Sequence, residues 1–494
     1  MSLIFPRRRR VLLGCLGAIV LALTLVLGWQ SPAAAVPARH YTDLTFPPLR
    51  DIQIPDFERY ELDNGLVVYL MEDHELPLVS GSATFRTGER LVDRDRTGLG
   101  SLTGQAMRLG GTDSYSADDL NQRLEQRAAA VETSIDTDVG SASFSTLTED
   151  MGEVFALFAD VLQHPAFAQD KIDLLKTQYR GGIERRNDDP DAIASREFRK
   201  LVYGADSAYA RTVEYATLNA ISRDDIASFC QASVRPDQTI LGIVGDFDPA
   251  QMKAMIATVF DDWRSPANTP TLPPTPTAQQ AQTGLFFVDQ PQLTQSYVQI
   301  GHVGGQLNSS AHPAMAVLNE VLNGFGGRLF NEVRSRQGLA YVVYAYWSAR
   351  FDYPGLFIGG GQTRSQATVP FIQAVKDELN TVRTTPITQE ELDRAKDSVL
   401  NSFVFNFQNP SQTLSRLIRY EYYGYPEDFV FQFRQAVSDT TTADVLRAAQ
   451  AQIRPEDLVV LVVGNGAEIQ PPLSTLTPDG TVTPVDITIP TTGA

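Results

Sequence analysis

Val234-Arg-Pro-Asp-Gln-Thr-Ile-Leu-Gly-Ile-Val-Gly-Asp246 returns 219 residues later as Ile453-Arg-Pro-Glu-Asp-Leu-Val-Val-Leu-Val-Val-Gly-Asn465. Each stretch runs from an Arg-Pro pair into a continuous apolar strand that stops at glycine. Upstream, Tyr203-Gly204 recurs as Tyr423-Gly424 at an offset of 220, and the capped helix start Ser222-Arg-Asp-Asp225 recurs as Thr441-Thr-Ala-Asp444 at 219. Ordered matches at nearly one offset are the signature of duplication. Residues 52–264 and 284–465 therefore read as two copies of one domain. Between Ser265 and Ala278 lie five prolines in fourteen residues with no apolar periodicity, so 265–283 reads as an interdomain linker.

Each copy mixes strands with long helices. Asp63-Asn64-Gly65 is a turn that leads into the strand Leu66–Leu70, and Leu99, Leu102, Ala106 and Leu109 recur at helical spacing. Thr388 and Glu391 make a capping box for a helix whose stripe is Leu392, Ala395, Val399 and Phe403. Strands Ile240–Val244 and Val459–Val463 close the copies. This order predicts an α+β fold: two tandem homologous domains, each a mixed or antiparallel sheet with helices packed on one face. The Pro/Thr-rich tail, 466–494, is expected to extend over the surface.

The chain has 494 residues, 43% apolar and 20% charged, with 35 Gly, 29 Pro and 2 Cys. That composition excludes a disordered chain, a collagen-like rod and a disulfide scaffold. Lys plus Arg number 41 against 59 Asp plus Glu, a formal charge of −18 that becomes −22 once the run Arg7–Arg10 is set aside. So acidic a body argues against nucleic-acid binding, which rests on neutralising phosphates. Residues 1–35 read as an export signal: basic Arg7–Arg10, apolar Val11–Trp29, and Ser31-Pro-Ala-Ala-Ala35 as an A-x-A cleavage site, leaving 36–51 as an N-terminal extension. The alternative is an uncleaved membrane anchor over residues 11–29. Periplasmic residence is the expectation, with an internal lumen or secretion as alternatives. Cys230 is then the only thiol of the mature chain, so no internal disulfide forms.

Leu62-Asp-Asn-Gly-Leu66, Arg86-Thr-Gly-Glu-Arg90 and Gly98-Leu-Gly-Ser-Leu-Thr-Gly-Gln-Ala-Met-Arg-Leu-Gly-Gly-Thr112 resemble the pitrilysin or insulinase family of zinc metallopeptidases, which includes the mitochondrial processing peptidase. The resemblance runs from about Phe57 to Asn465 and implies the duplication found above. In catalytic members, H-x-x-E-H and a distant Glu hold zinc and activate water. Aligned on Gly98-Leu99, those positions are Ser101, Gly104 and Gln105; aligned on Gly111-Thr112 they are Leu102, Gln105 and Ala106. Neither alignment supplies an imidazole or a carboxylate. The distal Glu pair falls at Gly181-Gly182. Of the histidines, His40, His74, His164, His302 and His312, no two have the i, i+4 spacing of a helical zinc pair. Asp73-His74-Glu75 places neighbouring side chains on opposite faces of a strand end. No metal or cofactor is expected in this chain.

The second copy carries Gly324-Phe-Gly-Gly-Arg-Leu-Phe-Asn-Glu-Val-Arg-Ser-Arg-Gln-Gly-Leu-Ala-Tyr341, which resembles the family's glycine-rich loop, helix and Arg/Tyr element. By that resemblance Arg334 and Tyr341 bind the substrate backbone opposite the zinc. Gly324, Gly326 and Gly327 form either a plain flexible turn or a loop that touches substrate. Independently of the family, Leu329, Phe330 and Val333 form a helix stripe, Gly338 offers a left-handed stop, and the chain turns into a strand over Leu339–Trp347. A side chain near the helix end then faces one near the strand start.

A chain without the zinc positions but with the Arg/Tyr element resembles the non-catalytic member of a two-subunit peptidase. The implied partners are a homologous H-x-x-E-H subunit, which carries the zinc, and an extended peptide substrate. A membrane is involved only if the signal is uncleaved. The rival readings are a purely structural subunit and a peptide-binding holdase without turnover.

Overall fold

A computed structural model describes residues 54–266 and 278–490. The expected signal segment, the N-terminal extension and most of the Pro-rich linker lie outside the described residues. The first half builds a six-stranded sheet from β1 (Glu58–Glu61), β2 (Val67–Glu72), β3 (Leu78–Phe85), β4 (Ala130–Ile135), β5 (Gly140–Leu147) and β6 (Thr239–Gly245), ordered β1-β2-β6-β3-β5-β4. The second half builds another from β7 (Gly284–Asp289), β8 (Gln295–Val303), β9 (Ala340–Ser348), β10 (Leu356–Arg364), β11 (Val459–Gly464) and β12 (Thr483–Pro484), ordered β12-β7-β11-β8-β10-β9. The repeated apolar stretches are β6 and β11. Each pairs in parallel with an early strand of its half, β2 or β7, and antiparallel with β3 or β8. The duplication in sequence is thus a duplication of topology over five strands; the sixth differs, β1 pairing antiparallel with β2 and β12 in parallel with β7.

The helices start where the capping chemistry places them. Ser222 with Asp225, Thr388 with Glu391 and Thr441 with Asp444 each close a reciprocal capping box. The Gln389–Ser402 helix buries Leu392 and Ala395, and Phe403 continues the buried stripe from the 3-10 turn that follows.

Each half packs its own helices on one face of its sheet. In the first, Leu102, Phe155, Phe158 and Ile226 meet Val68, Phe85 and Phe144; in the second, Leu318, Phe371 and Val375 meet Val298, Phe357 and Val462. The opposite faces are covered by exchange. Helix Pro190–Tyr203 of the first half lays Ile193, Phe198 and Val202 on the second sheet, against Phe286, Val288, Leu461 and Val463. Its repeat counterpart, Pro410–Tyr423, lays Leu414, Leu417 and Ile418 on the first sheet, against Tyr69, Met71, Ile240 and Val244. Coverage of both faces explains why β6 and β11 are buried at every residue and read as unbroken apolar runs rather than alternating ones.

Polar contacts fasten the exchange. Arg59 forks onto the Glu421 carboxylate at 2.6 and 3.1 Å, and the Tyr423 hydroxyl donates to Asp138 at 2.7 Å. The Tyr209 and Tyr353 rings stack at 3.9 Å. The tail does not simply run over the surface: Ile469 and Leu473 are buried in the second core, and β12 adds in parallel to β7.

Candidate functional site

Ser101, Gly104 and Gln105 lie on the Leu99–Leu109 helix, which Gly98 opens in a left-handed conformation at φ 104°. Leu102 and Ala106 are wholly buried in the core under the sheet, so the alignment through them points away from any site. Ser101 and Gln105 lie on the side of the helix toward Gln169–Glu184, the helix that carries Gly181 and Gly182. Across this gap the Gln105 amide donates to the Tyr179 hydroxyl at 2.8 Å. Burial pushes the Tyr179 phenol up, and it remains a neutral acceptor.

β4 presses against Gly104, the position that the Gly98-Leu99 alignment sets against the family's catalytic Glu. A Cβ there would lie 2.3 Å from the Ile135 nitrogen and 2.7 Å from the Ser134 carbonyl carbon. The Thr133 hydroxyl also donates to the Gly104 carbonyl at 2.6 Å. At the head of the helix, Glu89 accepts from the Gly98 and Ser101 amides; burial raises its carboxyl and those bonds partly offset the shift. Gly181 has open space around it and no side chain to offer. No group of three His, Cys, Asp or Glu side chains suited to a metal occurs among the described residues, and the donors at these positions do not fit zinc. His74, the suggestive histidine of the sequence, is clamped between Asp246 at 2.6 Å and Glu72 at 3.2 Å, which raise its pKa.

In the second half, Phe330–Arg336 forms a π-helix that ends at Gly338, left-handed at φ 64°, and β9 starts at Ala340. The Leu339 amide reaches back to the Val333 carbonyl at 3.0 Å and fixes the turn. Arg334 and Tyr341 are brought together: the guanidinium carbon lies 4.6 Å from the Tyr341 ring centre and 4.7 Å from that of Phe330. No carboxylate or carbonyl binds this guanidinium among the described residues, so its N–H groups are held by two rings and available to an acceptor. Tyr341 is 76% exposed.

The glycine loop precedes this helix. Gly327 N–H closes a turn on the Gly324 carbonyl at 2.6 Å, with Gly326 left-handed at φ 73°, and Phe325 is thrown fully into solvent. A Cβ at Gly327 would lie 2.7 Å from the Leu322 carbonyl oxygen, whereas one at Gly326 would meet nothing.

Sequence reasoning missed the residues beside the loop. Asn319 and Asn323, one turn apart on the His312–Asn323 helix, hydrogen-bond the backbone of β9 at Trp347 and Ala345. The available signal was a pair of asparagines inside a helix, where this residue is a poor former unless its amide has other work. No hydrogen bond, ion pair or ring contact joins Arg334 or Tyr341 to the degenerate positions of the first half among the described residues.

Comparison with known proteins agrees with this architecture. Residues 68–209 match Insulinase (Peptidase family M16), and residues 220–399 match the Peptidase M16 inactive domain. A Bacillus subtilis protein described as the uncharacterized zinc protease YmxG is 23% identical over 73% of this chain and 86% of its own length. The Helicobacter pylori protein described as a non-peptidase homolog YmxG is 23% identical over 80% and 90%. The crystal structure of a peptidase M16 inactive domain from Pseudomonas fluorescens superposes with a TM-score of 0.74 at 23% identity, covering 83% of this chain and 98% of that one. Two tandem domains of one topology, matched in succession by both halves of the same family, place this chain in the M16, or insulinase, peptidase family.

Proposed function

We propose that this chain is an exported, non-catalytic M16 subunit that holds an extended peptide and completes the active site of a homologous H-x-x-E-H partner. The observation that carries the reading is a contrast between halves. Where a catalytic member needs a carboxylate, Gly104 is packed onto the backbone of β4; where the family binds substrate, Arg334 has no carboxylate partner among the described residues and Tyr341 is exposed. The partner supplies the metal and the attacking water. Arg334 donates charge-assisted hydrogen bonds to a peptide carbonyl as it gains negative charge, and the Tyr341 hydroxyl adds a second donor. Losing one such donor raises the barrier by about 3–4 kcal/mol.

The test is co-purification with an H-x-x-E-H homologue and a peptide-cleavage assay of each chain alone and together. Arg334→Ala and Tyr341→Phe are expected to abolish most of the joint activity while the pair still assembles. A purely structural subunit would tolerate both substitutions. Stoichiometric zinc and chelator-sensitive hydrolysis by this chain alone would overturn the reading, as would full activity of the isolated partner.

A further inference from the structure

β9 is the last strand of its sheet, so one of its sides faces no strand. It pairs antiparallel with β10, Val343 opposite Gly361, Ala345 opposite Gly359 and Trp347 opposite Phe357. In such a ladder, successive residues turn their N–H and C=O to alternate sides. Ala345 and Trp347 turn theirs outward, and both are closed by side chains. Asn323 accepts from the Ala345 N–H at 2.8 Å and donates to its carbonyl at 2.7 Å; Asn319 does the same at Trp347 with 2.9 and 3.1 Å. By the same alternation Val343 turns its amide outward, and no side chain takes it among the described residues. The edge therefore has a closed half and an open half. The open half ends at the register shift opposite Gln362 and Thr363, where Tyr341 stands with Arg334.

We infer that the open half of β9 binds the C-terminal end of an extended peptide, antiparallel to β9, with its α-carboxylate on Arg334. This rests on the peptide-holding role proposed above: the carboxyl carbon of a cleaved peptide's new C-terminus is its former scissile carbonyl carbon, so the guanidinium that attends the one is placed to hold the other. An open edge is a template for one more strand. Charge sets the direction: an antiparallel segment carries its C-terminus toward the start of β9, where Arg334 has no counter-ion among the described residues, whereas a parallel one would bring its ammonium there. Asn323 sets the length, because a segment that runs past Val343 meets the amide already seated on Ala345. Strand pairing is thus confined to roughly the last two or three residues. The planar guanidinium matches a carboxylate in bidentate fashion, and the Phe330 and Tyr341 rings beside it reduce its access to water.

The experiment is fluorescence anisotropy of an N-terminally fluorescein-labelled hexapeptide of alternating Thr and Val, made as free acid and as C-terminal amide, with the full chain. The free acid is expected to bind about tenfold tighter or more. Arg334→Gln, checked for an unchanged melting temperature, is expected to erase the difference. Asn323→Ala, which frees the Ala345 amide, is expected to strengthen binding of the amide. Equal affinity of acid and amide, both lost in Arg334→Gln, would overturn the C-terminal assignment and leave the carbonyl contact standing. A preference for acid that survives Arg334→Gln would also overturn the assignment. Unchanged amide binding in Asn323→Ala would overturn the length limit, and no saturable binding of either peptide would overturn the peptide-binding role itself.

Discussion

The Gln105 amide donates to the Tyr179 hydroxyl at 2.8 Å, a bond that joins the Leu99–Leu109 helix to the Gln169–Glu184 helix. A neutral amide and a phenol link the two helices, and Gly104 lets β4 close onto the first of them. Gly104→Glu is therefore expected to destabilise the fold by about 2–3 kcal/mol, since backbone atoms rather than a movable side chain occupy the space. Urea unfolding measures this. Restoring Ser101→His, Gly104→Glu and Gln105→His together is expected to yield no stoichiometric zinc, read by elemental analysis, because Gly181 still offers no third ligand.

Arg334 and Tyr341 contribute little to the fold. Tyr341 is exposed, Arg334 is half-buried, and among the described residues their side chains make only ring contacts, so Arg334→Ala and Tyr341→Phe are expected to shift stability by less than about 0.5 kcal/mol. A loss of joint peptidase activity on that unchanged background separates a functional defect from an unfolding one. Thermal melts and the cleavage assay, run on the same preparations, check it.

The exchanged helices make the halves interdependent. Phe198, wholly buried, belongs to the first half but sits in the core of the second sheet's outer face. Phe198→Ala is expected to cost about 3–5 kcal/mol. Both halves are expected to unfold in one transition in wild type, with tryptophan fluorescence and far-UV circular dichroism coincident. Two separated transitions would show that each sheet survives without the other half's helix.

His302 gives stability a pH dependence of defined sign. Its Nδ1 donates to the Val303 carbonyl at 2.8 Å and its Nε2 accepts the Arg454 amide at 3.0 Å, an arrangement that requires the neutral ring. Burial lowers its pKa to about 4. Between that value and the ordinary one near 6.5, the unfolded chain binds the proton more readily. Stability therefore falls as pH drops through this window, by roughly 3 kcal/mol in full from this residue. His312, lowered to about 4 by burial as well, adds with the same sign. Urea midpoints at pH 7 and pH 5 measure the fall, and His302→Asn is expected to flatten it.

Much of this was legible because it is local. Capping boxes at Ser222, Thr388 and Thr441 involve residues three apart, and the left-handed stop at Gly338 is written in one glycine. The neighbourhood of Arg334 and Tyr341 was legible for the same reason: a short helix, a turn and a strand start suffice to bring them together. The Asn319 and Asn323 contacts were not, since they require knowing which strand lies at the sheet edge beside their helix.

By itself the sequence determined the duplication, the strands that carry it, and the absence of an imidazole or carboxylate from the positions that either alignment sets against the family's H-x-x-E-H, because repeats and residue identities need no third dimension. Only the tertiary structure decided that the Pro190–Tyr203 and Pro410–Tyr423 helices cross to the opposite sheets, that β4 fills the space above Gly104, and that the open part of β9 ends at Arg334. Apolar periodicity records that a face is buried; what buries it lies far away in the chain, and only packing selects it.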